Sequence, residues 1–169
     1  MVHVYVIDYD EDDPSKCTGK RMVRLGLAEF ARRPKGITLD PFSRVTLGIE
    51  DRETAEKYGI TVIDASWNRF DPAKVPRSSF SRRLPILVAG NPINYAIAYK
   101  LSSVEAVFAT LYILEWVEEA MAFLKVNKWM KTFYDLNREL LETYRGKSRQ
   151  EIEAIEEEIL QKYREGPQL

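Results

Sequence analysis

The feature that most constrains this chain is a series of short apolar runs in its amino-terminal half, each ended by an unusual polar or proline-bearing turn. Residues 2–8, 37–39, 60–64 and 84–89 are rich in Val, Ile and Leu, and the first three are separated by stretches with helical spacing. Strands alternating with helices lead to a mostly parallel sheet, because the intervening helix brings the chain back to the same edge. Residues 2–8 carry Val2, Val4 and Val6 on one face and Tyr5 and Ile7 on the other. A strand apolar on both faces belongs in the middle of such a sheet.

Between these runs, residues 16–33 predict a helix, with Met22, Val23, Leu25, Leu27 and Phe30 as its apolar stripe and Pro34 as its stop. Residues 51–58 predict a short helix with Asp51 as N-cap and Gly59 just past the end. Residues 68–83, rich in Ser, Arg and Pro, read as a surface loop. After Gly90 the pattern turns helical, over residues 102–124, 128–143 and 149–164. The expected architecture is an α/β amino-terminal lobe, residues 1–92, and a helical carboxyl-terminal lobe, residues 93–169. No flexible linker separates the two, so they should pack as one unit.

Composition removes several function classes. The chain has one cysteine, Cys17, and one histidine, His3, in 169 residues. An internal disulfide is excluded, and a zinc site or a His-dependent nucleophile starts far behind. The acidic cluster of Asp8, Asp10, Glu11, Asp12 and Asp13 lacks the glycine and terminal Glu of a calcium loop. No metal is expected. The start carries no basic leader and turns acidic at once, and no apolar run approaches the roughly 18 residues of a membrane span. A cytoplasmic protein is the expectation.

The net charge of −1 conceals segregation. Lys16, Lys20, Arg21, Arg24, Arg32, Arg33 and Lys35 face a single acid, Glu29, and Lys74, Arg77, Arg82 and Arg83 form a second basic run. The last helix is acidic, with Glu151, Glu153, Glu156, Glu157 and Glu158. Each basic run could be no more than a solvated face, but two in one half of the chain permit an RNA-binding surface.

Ligands of open α/β sheets bind beyond the carboxyl ends of the strands. The turns there are residues 8–19, 39–42, 64–67 and 89–92, offering Leu39, Pro41, Trp67 and Leu87 as apolar walls and Thr18, Asp64 and Asn91 as polar points. That mixture suits a nucleoside, whose faces want apolar contact and whose edges want hydrogen bonds. The glycine patterns that cradle pyrophosphate are missing, so a phosphate-free donor such as S-adenosylmethionine stays open. Simpler readings stand beside these. Trp67 could be core, Asp64 could cap a turn or pair with an arginine, Cys17 could be an inert buried thiol, and residues 91–95 could be a rigid connection.

Taken in order, the segments resemble the small-subunit (16S/18S) rRNA aminocarboxypropyltransferases of archaea and eukaryotes. The resemblance is carried by Asp8-Tyr-Asp-Glu-Asp-Asp-Pro-Ser-Lys-Cys-Thr-Gly19, Arg24-Leu-Gly-Leu27, Leu39-Asp-Pro-Phe42, Val62-Ile-Asp-Ala-Ser-Trp67 and Arg83-Leu-Pro-Ile-Leu-Val-Ala-Gly-Asn-Pro-Ile-Asn-Tyr95. Tyr99-Lys-Leu-Ser-Ser-Val-Glu-Ala106 and Phe133-Tyr-Asp-Leu-Asn-Arg-Glu-Leu-Leu141 extend it, and only the tail after about Tyr144 is uninformative. Ala65 departs from the pattern, where a small residue, often Cys, is expected, and Gly90 and Ala96 also vary.

The resemblance implies a fold related to the knotted SPOUT-class RNA methyltransferases, with a trefoil knot gripping the cofactor. It implies transfer of the 3-amino-3-carboxypropyl group of S-adenosylmethionine to N3 of a uridine, typically N1-methylpseudouridine, with release of methylthioadenosine. A sulfonium offers three carbons to attack, so the carbon that the pocket exposes decides the group transferred. On this reading Leu39, Pro41, Trp67, Leu87 and Val104 wall the adenine and ribose. Thr18 holds the amino-acid end, helped by backbone N–H groups where the first helix begins. Asp64 is the candidate base for uridine N3. Lys20, Arg21, Arg24, Arg32, Arg33, Arg77, Arg82 and Arg83 would contact RNA phosphates. The expected partner is small-subunit rRNA or a pre-ribosomal particle; knotted methyltransferases usually dimerise through the cofactor lobe, and the acidic last helix here would cover that surface, so a monomer is expected. The alternatives are a SPOUT-class RNA methyltransferase and a non-catalytic rRNA-binding assembly factor.

Overall fold

The computed structural model describes residues 1–9, 18–64, 75–76, 78–92, 95–96 and 98–165. Strand β1 (Val4–Asp8) leads through helix α1 (Thr18–Arg24) to β2 (Glu29–Phe30) and β3 (Ile37–Leu39). A 3-10 turn (Ile49–Asp51) and helix α2 (Arg52–Tyr58) return the chain to β4 (Ile60–Asp64), and β5 (Ser81–Arg82) completes the strands. The rest is helical: α3 (Ser103–Ile113), α4 (Val117–Met121), a 3-10 turn (Ala122–Lys125), α5 (Met130–Tyr144) and α6 (Arg149–Glu165). The sheet runs β2-β1-β4-β3-β5 with every pair parallel, as the alternation of apolar runs and helices required.

The apolar pattern explains the order. β4 is buried at all five residues and sits at the centre, with β1 beside it in register from Val4 opposite Ile60 to Asp8 opposite Asp64. On one face Val4, Val6, Ile60, Val62, Ile37 and Leu39 join the main core. On the other, Ile7 and Ile63 meet Val75 and Tyr9 in a smaller cluster. Helix α3 covers the main face and is buried at every residue but Ala106, so its sequence is apolar nearly all round. Helix α5 instead buries a single stripe, Met130, Phe133, Asn137, Leu141 and Tyr144, at helical spacing. The main core draws on residues from Val2 to Ile152.

Several sequence expectations are corrected, each for a physical reason. The helix over residues 16–33 ends at Arg24. Gly26 takes φ 76°, the Leu27 N–H donates to the Met22 carbonyl and the Gly26 N–H to the Val23 carbonyl. That pair of bonds is a Schellman stop, which glycine enters without steric penalty. Glu29 and Phe30 are thereby freed to form the edge strand β2. The helix expected over residues 102–124 breaks the same way, with Glu115 at φ 72° and the Trp116 N–H donating to the Leu111 carbonyl. The last part of the loop expected over residues 68–83 is the edge strand β5, while residues 68–74 and 77 lie outside the described residues.

Residues 84–89 are not a strand: beyond isolated bridges at Arg83 and Val88, no ladder forms among the described residues. Pro85 lacks an N–H, and helices supply the partners that a neighbouring strand would have given. Asn137 accepts from the Val88 N–H at 2.8 Å and donates to the Val88 carbonyl at 2.8 Å. The Tyr144 hydroxyl donates to the Ile86 carbonyl at 3.0 Å. Asp51 stands at the N-cap position of α2 as expected, but its carboxylate does not cap the helix and is bonded to arginines instead.

Candidate functional site

Strands β1 and β4 are neighbours, yet the chain leaves β1 toward β2 on one side and leaves β4 toward β5 on the other. Where adjacent connections diverge, a crevice opens beyond the strand ends. Asp8 and Asp64 stand side by side at that point. Ile60, Val62 and Asp64 share the face turned to α3 by the two-residue period of a strand. Asp64 is buried, at 6% exposure.

The start of α3 closes this crevice. The Ser103 hydroxyl donates to Asp64 Oδ1 at 2.8 Å, and the Val104 N–H donates to Thr18 Oγ1 at 3.2 Å. Helix α1 approaches from the sheet side through Gly19. A Cβ built there would lie 2.5 Å from Asp64 Oδ2 and 2.8 Å from Val6 Cγ1. Only glycine lets the helix backbone come this close, so Gly19 sets the depth at which Thr18 meets α3. Lys20 on the same helix pairs with Asp8 at 3.6 Å.

A second carboxylate fastens the loop that enters α3. Ser102 and Glu105 form a capping box, with Glu105 Oε1 accepting from the Ser102 N–H at 2.8 Å. The same oxygen accepts from Asn91 Nδ2 at 2.7 Å, and Oε2 accepts from the Gly90 N–H at 2.6 Å. Glu105 thus ties together both ends of the loop over residues 90–102. It is fully buried, and burial raises its carboxyl above the ordinary range while the bonds from Ser102, Asn91 and Gly90 pull it back. Asn91 also donates to the Lys100 carbonyl at 3.1 Å.

Of the residues singled out from sequence, Thr18, Asp64 and Val104 are therefore brought together through the first turn of α3. Leu39 and Leu87 are buried in the same core as Val104. Pro41 is exposed on the turn after β3, where Asp40 Oδ1 accepts from the Phe42 N–H. Trp67, Arg77, Cys17 and the acids at 10–13 lie outside the described residues. Among the described residues no group of three or more His, Cys, Asp or Glu could hold a metal ion. Sequence reasoning misses Ser103, Glu105 and Gly19. The Ser102-x-x-Glu105 capping signature is legible in the sequence, but the partners of Glu105 at Gly90 and Asn91 are not.

The basic residues divide. Arg21, Arg24, Arg32 and Arg33 are exposed around α1 and the β2 edge. Arg82 Nε instead donates to Asp51 Oδ1 at 3.0 Å, and Asp51 also takes Arg149 at 2.8 Å and the Gly48 N–H at 3.1 Å. Both terminal nitrogens of Arg83 bond Glu156 Oε1 at 3.0 Å. These two guanidinium groups are engaged by the protein's own carboxylates, which reduces what they can offer to an RNA phosphate.

Comparison with known proteins gives this arrangement a family. A model described as "Ribosome biogenesis protein, C-terminal" matches residues 37–160. A model described as "Possible Fer4-like domain in RNase L inhibitor, RLI" matches residues 2–36. A four-iron cluster takes four thiolates, and the chain holds only Cys17, so that match carries no cluster. A protein named 16S rRNA aminocarboxypropyltransferase from Saccharolobus solfataricus is 51% identical over 160 residues, covering 94% of this chain and 96% of that one. A protein of the same name from Thermoplasma volcanium is 40% identical over 161 residues, covering 93% and 98%. A solved structure titled as the SAM-dependent rRNA:acp-transferase Tsr3 from Vulcanisaeta distributa superposes with a TM-score of 0.78 at 38% identity, covering 85% of this chain and 82% of that one. Coverage of nearly the whole chain at these identities leaves no doubt of kinship: the chain belongs to the family of 16S rRNA aminocarboxypropyltransferases.

Proposed function

We propose that this protein transfers the 3-amino-3-carboxypropyl group of S-adenosylmethionine to N3 of a uridine in small-subunit rRNA, in its N1-methylpseudouridine form, and releases methylthioadenosine. The observation that carries the reading is the joining of Asp64, Thr18 and the first turn of α3 at the divergence of β1 and β4, in a chain whose relatives are named for this activity. The residues fit the donor. Gly19 lets α1 pack directly against Asp64, Leu39, Leu87 and Val104 form the apolar core behind the strand ends, and Thr18 and Asp64 supply polar points without a phosphate loop. When bound, S-adenosylmethionine supplies a sulfonium whose side-chain γ-carbon accepts the uridine nitrogen as the carbon–sulfur bond breaks.

In this reading Leu39, Pro41, Trp67, Leu87 and Val104 wall the nucleoside, and Thr18 orients the amino-acid end. Asp64 takes the N3 proton, its orientation fixed by Ser103. Lys20, Arg21, Arg24, Arg32, Arg33 and Arg77 contact the RNA backbone, while Arg82 and Arg83, engaged by Asp51 and Glu156, contribute less than the sequence suggests. Residues 1–92 and 93–169 act as two lobes of a monomeric, cytoplasmic enzyme. Among the described residues no helix is long and apolar enough to cross a membrane. The buried passage of Pro85, Ile86 and Leu87 supports a threaded segment of the SPOUT-like knotted kind.

Incubating the protein and small-subunit rRNA with donor labelled either in the carboxyl group or in the methyl group tests the reaction. Carboxyl label in the RNA, with methyl label recovered in methylthioadenosine, is the expected result. Methyl label in the RNA would make the protein a methyltransferase, and RNA binding without either label would make it an assembly factor.

A further inference from the structure

Tyr99 combines features that the site as described does not use. It is a non-glycine residue at φ 64°, in the left-handed region, and it is 45% exposed. Such a backbone is strained for a residue with a Cβ and persists where surrounding bonds over-determine it. Two bonds do so here. The Tyr99 N–H donates to the Leu87 carbonyl at 3.0 Å, and the Tyr99 hydroxyl donates to Glu156 Oε2 at 2.9 Å.

Glu156 lies on α6 and is 4% exposed. Its other oxygen is gripped by both terminal nitrogens of Arg83, so the carboxylate cannot swing away from the phenol. Burial and the Glu156 charge both hold the Tyr99 hydroxyl well above its ordinary titration range, which keeps it a donor. From Tyr99 the chain runs directly to Lys100, whose carbonyl takes Asn91 Nδ2, to Ser102, which caps α3, and to Ser103, which holds Asp64. Ala96, also left-handed at φ 60°, donates its N–H to the Ala89 carbonyl and anchors the other arm of the loop.

We infer that Glu156 on α6, through the Tyr99 hydroxyl, is a positioning residue for the loop over residues 91–101, and so sets how tightly the strand-end site binds its donor. Neither residue needs to touch the donor or the RNA. The inference rests on the strand-end site being the S-adenosylmethionine site. It gives the last helix, the part least informative in sequence, a task in the reaction.

The test uses Tyr99→Phe, which removes one hydroxyl and leaves the packing intact, with Glu156→Gln as the second variant. Amide hydrogen exchange on the ligand-free protein should show the N–H groups of Ala96 and Tyr99 losing protection by about tenfold in both variants, the worth of one hydrogen bond to a charged acceptor, while the interior of α6 is unchanged. Titration calorimetry with S-adenosylmethionine should show affinity weakened by about tenfold, with a melting temperature within about 3 °C of the parent for Tyr99→Phe. Unchanged exchange in the loop overturns the inference whatever the affinity, since weakened binding alone would then mean direct contact. Loosened exchange with unchanged affinity overturns it as well. If the parent protein binds no S-adenosylmethionine, the reading of the site falls first, and the exchange data still report whether Glu156 holds the loop.

Discussion

The two basic runs of the sequence have opposite fates in the fold. The first surrounds α1 and the β2 edge, where Arg21, Arg24, Arg32 and Arg33 project into solvent. The second reaches the β5 edge, where Val45–Leu47 backbone groups bond to Arg83 and α6 lies alongside. There Arg82 is consumed by Asp51 and Arg83 by Glu156, partners 31 and 73 residues away in sequence. Charge density along a chain is therefore a poor guide to charge on a surface. What decides is whether the topology delivers a buried carboxylate to the same place.

The largest effect should come from Asp51→Ala. It leaves Arg82 and Arg149 facing an emptied, largely buried site. Loss of one partner from a buried ion-pair cluster costs about 3–5 kcal/mol, a fall of roughly 10 °C in melting temperature for a chain of this length. Arg82→Ala sharpens the same contrast: it should lower stability by about 1–3 kcal/mol while leaving the salt dependence of rRNA binding unchanged. A shallower salt slope for that variant would put Arg82 on the RNA side and break the comparison.

The exposed run should behave in reverse. Replacing Arg21, Arg24, Arg32 and Arg33 together by alanine should move stability by no more than about 0.5 kcal/mol per site. The slope of log affinity against log salt should fall by roughly 0.7–0.9 for each phosphate deprived of its cation. Filter binding or calorimetry at several salt concentrations reads this directly.

The smallest expected effect concerns Glu105. Its carboxyl is raised by burial, so its contribution to stability is complete below the ordinary carboxylate range and fades as pH rises through the folded-state value. Urea midpoints measured between pH 4 and pH 8 should therefore show a shallow decline with pH for the parent that Glu105→Gln lacks. The Gln variant starts lower, because its amide nitrogen meets only N–H donors at one oxygen's place. Identical profiles would show that the group is not burdened by its burial.

How much of this is legible in the sequence follows from the range of the interactions. β1, β3, β4, α5 and α6 come from local periodicity, because a core face repeats every two or three to four residues wherever the element ends up. Boundaries set by a single backbone conformation are harder. Gly26 is a visible signal for its turn, yet the apolar stripe running past it to Phe30 outweighs it, whereas Glu115 takes the same left-handed position with no compositional warning. Residues 84–89 look like a strand because they are apolar, and only the arrival of Asn137 and Tyr144 from α5 decides that they are not. In the candidate site, Thr18 and Asp64 are legible at strand-end turns and Val104 through the resemblance, and the three are joined in the fold, but the Ser103 that holds Asp64 is 39 residues away and has no local signature. Asp51 is legible as a carboxylate at a helix start, and its partners on β5 and α6 are not.

The unladdered passage at residues 84–90 has a consequence for the order in which the molecule assembles. A strand can form its bonds as soon as a neighbouring strand is present. This segment gives its Val88 and Gly90 amides to side chains of α5 and α3, and receives the Tyr144 hydroxyl at Ile86. Its remaining backbone bonds come from the following loop, where the Tyr99 and Ala96 amides bond the Leu87 and Ala89 carbonyls. The segment is therefore expected to gain its full set of bonds only once α3 and α5 are docked on the sheet, which hydrogen exchange at the Val88 and Gly90 amides would read.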